Sequence, residues 1–168
     1  MITTSIITAK IIYVAYNAIS MAIFGVPHSL SMTYYLWKEK SNIGYVFPVM
    51  MAVVVALMMP AWITMSEGSD FQFLAFLAPA SLLFVGAAPA FMDSDLENKV
   101  HSISAVIAAI CSLTWVCVVT PYWCTIIVFL GLIAAIAILT KSVKSALTYW
   151  LETIAFGATF TSAILYSM

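Results

Sequence analysis

Residues 45–66 read YVFPVMMAVVVALMMPAWITMS, a run with no charged side chain. An α-helix rises 1.5 Å per residue and the hydrocarbon core of a bilayer is about 30 Å thick, so roughly 20 such residues suffice to cross it. Five further stretches read the same way. The expected spans are approximately Ser5 to Val26, Tyr45 to Ser66, Phe71 to Phe91, Val100 to Thr120, Tyr122 to Thr140 and Ala146 to Tyr166. Between them lie the polar clusters Pro27 to Gly44, Glu67 to Asp70, Met92 to Lys99, Pro121, and Lys141 to Ser145. The reading is all-α: one domain over residues 1–168, a polytopic transmembrane bundle of about six spanning helices with a short interfacial helix after the first.

Composition agrees with a lipid solvent. The chain is 64% hydrophobic and 8% charged with a mean hydropathy of +1.10, whereas a soluble domain carries about 25% charged residues. A net charge of −1 and the absence of arginine argue against a nucleic-acid partner, which needs clustered cations. The expected partner is the bilayer itself, with a homo-oligomer as a further expectation, since so small a bundle offers little room for a pathway. Cys111, Cys117 and Cys124 match no metal spacing and read as packing residues, and no cofactor is expected. The first residues lack a cation and a small-residue cleavage site, so the first hydrophobic stretch reads as a retained span.

Pro121-Tyr122-Trp123 is expected to be an interfacial turn, since proline ends a helix and Tyr and Trp favour the headgroup level. With that turn, Lys38, Lys40, Lys99, Lys141 and Lys144 share one side of the membrane. The positive-inside rule then makes those loops cytoplasmic and puts both termini outside, as in a bacterial inner-membrane protein. Leu30, Tyr34 and Trp37 recur at helical spacing ahead of Lys38 and Lys40, predicting the short interfacial helix. Pro60 and Pro79 lie inside expected spans, where they free the carbonyls of Ala56 and Ala75 and are expected to face other helices or a cavity.

Glu152 is the foremost candidate for chemistry. It lies about six residues into the last span, about 9 Å from the cytoplasmic end. A carboxylate at mid-span costs roughly 2.5–3.5 kcal/mol on insertion scales. Thr148, Glu152, Ala155, Thr159, Ser162 and Tyr166 form one stripe, expected to look into the bundle. The functional reading is a proton or cation site; the plainer one is a packing carboxyl. On the first span, Lys10, Tyr13, Asn17, Ser20 and Phe24 share a face. Lys10 is too far from Glu152 in depth and is expected to snorkel outward, which leaves Asn17 and Ser20 as the expected partners. His101, Ser104, Ala105, Ala108, Ser112 and Trp115 form a close-packing face on the fourth span.

Ser31, Asp93 or Asp95, and His101 fall together on the expected cytoplasmic side. That grouping is similar to the CREST membrane hydrolases, which include alkaline ceramidases and adiponectin-receptor-like proteins and combine serine, aspartate and histidines around zinc. The resemblance implies a lipid-modifying hydrolase using these four residues. The sequence departs from it: Tyr149-Trp150-Leu151-Glu152 stands where the family has paired histidines, the family has seven spans, and two histidines in the chain cannot make a three-histidine zinc site. The runs from Phe24 to Tyr35, Phe71 to Phe76 and Phe84 to Phe91, followed by His101, resemble a family of uncharacterised small bacterial and phage-encoded membrane proteins over approximately residues 24–115. That resemblance implies no activity. Three functional classes follow: a non-enzymatic membrane module such as a small transporter, pore or accessory subunit; an intramembrane hydrolase; or a structural or interaction protein.

Overall fold

The computed structural model describes residues 1–168 and contains seven helices and no strand. They are α1 (Ile2–Phe24), α2 (Thr33–Ser41), α3 (Val46–Met65), α4 (Gln72–Ala87), α5 (Asp95–Val118), α6 (Cys124–Leu139) and α7 (Leu147–Tyr166). Three of them, α1, α3 and α5, are long and apolar enough to cross a membrane. The other three expected spans are shorter or more polar than the sequence suggested. α4 and α6 have 16 residues each, about 24 Å of helix. Pro89 ends α4 because the residue before a proline is pushed out of helical geometry, and the turn at Pro121-Tyr122-Trp123 delays α6 until Cys124. α7 has the length, at 20 residues, but Glu152 and its threonines dilute its apolar character.

Two other boundaries differ from expectation. α5 begins at Asp95 rather than near Val100 because Ser94 caps it, accepting the Glu97 N–H at 3.2 Å. Asp95 and Glu97 then occupy the first turn, where carboxylates complement the helix dipole. α2 begins at Thr33, so Leu30 is not on that short helix but buried in the turn before it.

α1, α3, α4, α5 and α7 pack in sequence around a ring that α7 closes against α1, and α6 lies outside it on α7. Small residues set the close approaches: a Cβ at Gly86 on α4 would lie 3.2 Å from the Met51 Cβ on α3. Ala108, Ser104 and Ser112 of α5 are buried in the same way. Outward, Ile127, Val128, Leu130, Ile138 and many other large apolar residues are exposed.

The loops sort by end. At one end the Met92 N–H donates to the Tyr35 hydroxyl at 2.8 Å, Lys38 faces Asp93 at 3.9 Å, and the Tyr149 N–H donates to the His28 carbonyl at 3.1 Å. At the other, Thr3 donates to the Ser167 carbonyl at 3.0 Å and Trp115 Nε1 to Ser66 Oγ at 2.6 Å. Pro79 is buried, but Pro60 is exposed, against the expectation that both face neighbours. Compensation near Pro60 comes from α1, where Ser5 donates to the Leu57 carbonyl at 2.7 Å.

Candidate functional site

α1 stops at Gly25, whose φ of 74° lies in the left-handed region that glycine adopts without strain. Pro27 then prevents the helix from resuming. The chain turns back into the bundle instead of leaving it, and Pro27, Ser29, Leu30, Ser31 and Thr33 are all buried. Buried non-helical backbone must find hydrogen-bond partners. Here α1 and α7 supply them. The Tyr16 hydroxyl and Thr33 Oγ1 lie 2.5 Å apart, and Thr33 Oγ1 donates to the Leu30 carbonyl at 2.5 Å. The His28 carbonyl takes the Tyr149 N–H, one of the first-turn donors of α7 that no intrahelical acceptor can satisfy. The Leu30 N–H donates to Glu152 Oε2 at 2.6 Å.

Glu152 lines a cavity of about 70 Å³ among α3, α4, α5 and α7, together with Leu30 and Ser31 of this segment. Fifteen of its 20 lining residues are hydrophobic, including Phe47, Met51, Trp62, Phe156 and Phe160; Pro79 of α4 also lines it. Glu152 is the only ionisable carboxylate on the wall, and no lysine or histidine is there to oppose it. The one ion pair in the molecule, Lys38 with Asp93, is exposed at the surface. Two wall residues, Trp62 and Thr159, have buried polar atoms (Nε1 and Oγ1) without a hydrogen-bond partner.

The expected partners of Glu152 are engaged elsewhere. Asn17 Oδ1 accepts from the Tyr149 hydroxyl at 3.1 Å, and Ser20 Oγ accepts from Trp37 Nε1 at 3.1 Å. Both residues hold neighbours of the site instead: Asn17 fixes α7 through Tyr149, and Ser20 fixes α2 through Trp37. Lys10 donates to Thr161 at 3.2 Å, away from Glu152. Of the α7 stripe, Glu152, Ala155 and Thr159 line the cavity and Ser162 is buried against α6, whereas Thr148 and Tyr166 are exposed. The stripe drifts off the interior at both ends.

Ser31, Asp93, Asp95 and His101 are not brought together by any hydrogen bond. Ser31 Oγ pairs with Ser29 Oγ at 3.2 Å, Asp93 faces Lys38, and Asp95 is exposed in the first turn of α5. His101 Nδ1 sits 3.0 Å from the Ala88 carbonyl, and its ring stacks on Phe91 at 4.6 Å. That histidine pins the α4–α5 connection. Beside it, desolvation pushes the Tyr35 phenol above its ordinary range, opposed by the Met92 N–H. No group of three or more His, Cys, Asp or Glu side chains is placed to hold a metal ion.

The residues that sequence reading missed are the backbone of Leu30 and the side chains of Tyr16, Thr33 and Tyr149. A signal existed in Gly25-Val26-Pro27, which ends a helix early and leaves a short run without Asp, Glu, Lys or Arg before Lys38. Comparison with known proteins found no matching family model, no matching curated protein and no matching solved structure.

Proposed function

We propose that the chain is a multi-pass membrane protein with six crossings, α1 and α3 to α7, and that it works as a small non-enzymatic carrier in which Glu152 takes a proton or another cation. The observation that bears this reading is the Glu152 carboxylate in an apolar cavity, with one backbone N–H as its protein donor and no cation on the wall. Ionisable side chains at membrane depth are costly and mark ion or substrate pathways. Non-helical backbone at that depth is tolerated where it is buried in protein or lines a cavity, and Leu30 and Ser31 do both.

Support for six crossings comes from the ends of the bundle. Residues 25–45, 88–94 and 140–146 gather at one end, and both termini lie with 66–71 and 119–123 at the other. The lysine-bearing end is then cytoplasmic. Helices of 16 residues still cross if the bilayer thins locally and the flanking Tyr122, Trp123 and Lys141 anchor at the interface. The Pro27–Thr33 segment serves as the cytoplasmic gate, because it is the one closure of the cavity that hangs on Glu152 itself.

Reconstituted into liposomes, the wild-type protein should dissipate an imposed proton or monovalent-cation gradient. Glu152→Gln should slow that flux at least tenfold while keeping the elution profile and helicity of the wild type. Equal flux from the two proteins would remove the carrier reading. A reporter fused to the carboxy terminus should be active only outside the cell; activity inside would reverse the orientation.

A further inference from the structure

The wall chemistry of the cavity restricts which cation Glu152 can take. A bare metal ion needs about six oxygen ligands to replace its water. The wall offers the Glu152 carboxylate and the hydroxyls of Ser31, Ser112 and Thr159. These do not converge: Glu152 and Thr159 are seven residues apart on α7, about 10 Å along its axis. A hydrated ion fares no better, since its water would meet the rings of Phe47, Phe156 and Phe160 and the side chains of Met51, Val54 and Met58. The carboxyl lacks a countercharge in the protein, so as a buried anion it must take up either a proton or another cation.

A cation with a small polar head and an apolar body meets both demands. The geometry points to a primary alkylammonium ion as the ligand of this cavity, its nitrogen on Glu152 and its chain running past Ala155 toward Thr159. An ammonium head carries three donors. The Glu152 carboxylate accepts one, and the Ser31 hydroxyl at the same end of the cavity is available for another. The aliphatic chain replaces empty space against apolar wall. Glu152 Oε2 holds the Leu30 N–H, which leaves Oε1 to accept from the ammonium. This assignment rests on Glu152 being the carrier's cation site and adds the substrate class.

The test is binding, measured apart from transport, on the purified full chain in lipid nanodiscs. The signal is the part of tryptophan emission lost in Trp62→Phe, since Trp62 lines the cavity. Ethyl-, butyl- and hexylammonium should saturate it, with affinity rising about fourfold per methylene, the transfer value of a buried CH₂, until the chain reaches Thr159. Glu152→Gln should weaken butylammonium at least tenfold. Butanol should give no saturable signal, and potassium should not compete. Ala155→Leu, which fills the tail space and leaves the carboxylate alone, should lose hexylammonium and keep ethylammonium. Equal binding of butanol, or of butylammonium to Glu152→Gln, would overturn the proposal, as would the absence of any saturable signal. Should no amine bind while Glu152-dependent proton flux persists, this inference falls and the carrier reading stands. Saturable, Glu152-dependent binding without flux of any cation would keep the site and remove the carrier.

Discussion

Trp115→Ala should be the most destabilising single truncation in the chain, costing about 3–5 kcal/mol, the range for removing a large buried aromatic. Trp115 is fully buried, stacks edge-on against Trp62 at 5.2 Å, and donates from Nε1 to Ser66 Oγ at 2.6 Å. Its ring also meets Tyr166 of α7 edge-on at 6.4 Å. One side chain thus joins α3, α5 and α7 at the end of the bundle opposite Glu152. In the bilayer setting proposed above there is little hydrophobic drive between helices, so the loss comes from missing dispersion contacts and the void itself. Trp115→Phe should cost less, about 1–2 kcal/mol, because most of the ring contact survives and one hydrogen bond is lost. Ser66 still donates to the Trp62 carbonyl at 2.8 Å. Detergent-denaturant titration of the two variants checks this. A Trp115→Ala transition superimposable on the wild type would mean that the three helices do not depend on that ring for their association.

Gly157→Leu should detach α6. Gly157 on α7 faces the Phe129 ring of α6, and a Cβ added there would run into that ring. Of the other helices, α7 is the one against which α6 packs extensively. The α6–α7 interface is also held by the Thr125 and Ser162 hydroxyls, 2.6 Å apart, and by Thr125 Oγ1 reaching the Ala158 carbonyl at 3.5 Å. Overpacking typically costs about 1–3 kcal/mol, which Gly157→Ala should show, and the longer leucine should exceed what the interface can absorb. Phe129→Ala in the Gly157→Ala background should restore stability, with a coupling of about 0.5–3 kcal/mol, as expected for residues in contact. A disulfide between cysteines placed at Thr125 and Ser162 reports the same event: it should form in the parent and fail in Gly157→Leu. Efficient cross-linking in the leucine variant would show that the ring swings aside without loss of docking. The cavity should survive the loss of α6, because no α6 residue lines it.

Much of the architecture could be read directly because the spacing of prolines, glycines and lysines is local information. The turn at Pro121-Tyr122-Trp123 separates α5 from α6 where the proline and aromatics predicted. A short helix follows the first span, displaced to Thr33–Ser41. The reading overshot at α4 and α6 because apolar residues continue past the ends of those helices. Hydropathy counts such residues, but Pro89 ends the α4 ladder and the turn at Pro121-Tyr122-Trp123 holds Tyr122 and Trp123 outside α6, however apolar their neighbours are.

The site was legible only as a list. Glu152 stood out by its charge in an apolar run, and Thr159 and Ser31 also line its cavity. The pairings of Glu152 with Asn17 and Ser20 were wrong because depth along two helices says nothing about how each is rotated. Tyr149 and Trp37, large side chains with polar tips, reached those acceptors first.

The building material is written in local sequence: apolar runs of about 20 residues and a shortage of charge favour helices whose backbones satisfy their own hydrogen bonds, and three of these helices are long and apolar enough to cross a membrane. The tertiary structure alone decided that the chain after Gly25 folds back into the bundle and that its Leu30 N–H meets Glu152. That contact joins residues 122 positions apart, and its formation depends on five helices closing into a ring and turning particular faces inward. No local pattern encodes such a rotation, because packing chooses it for all the helices at once.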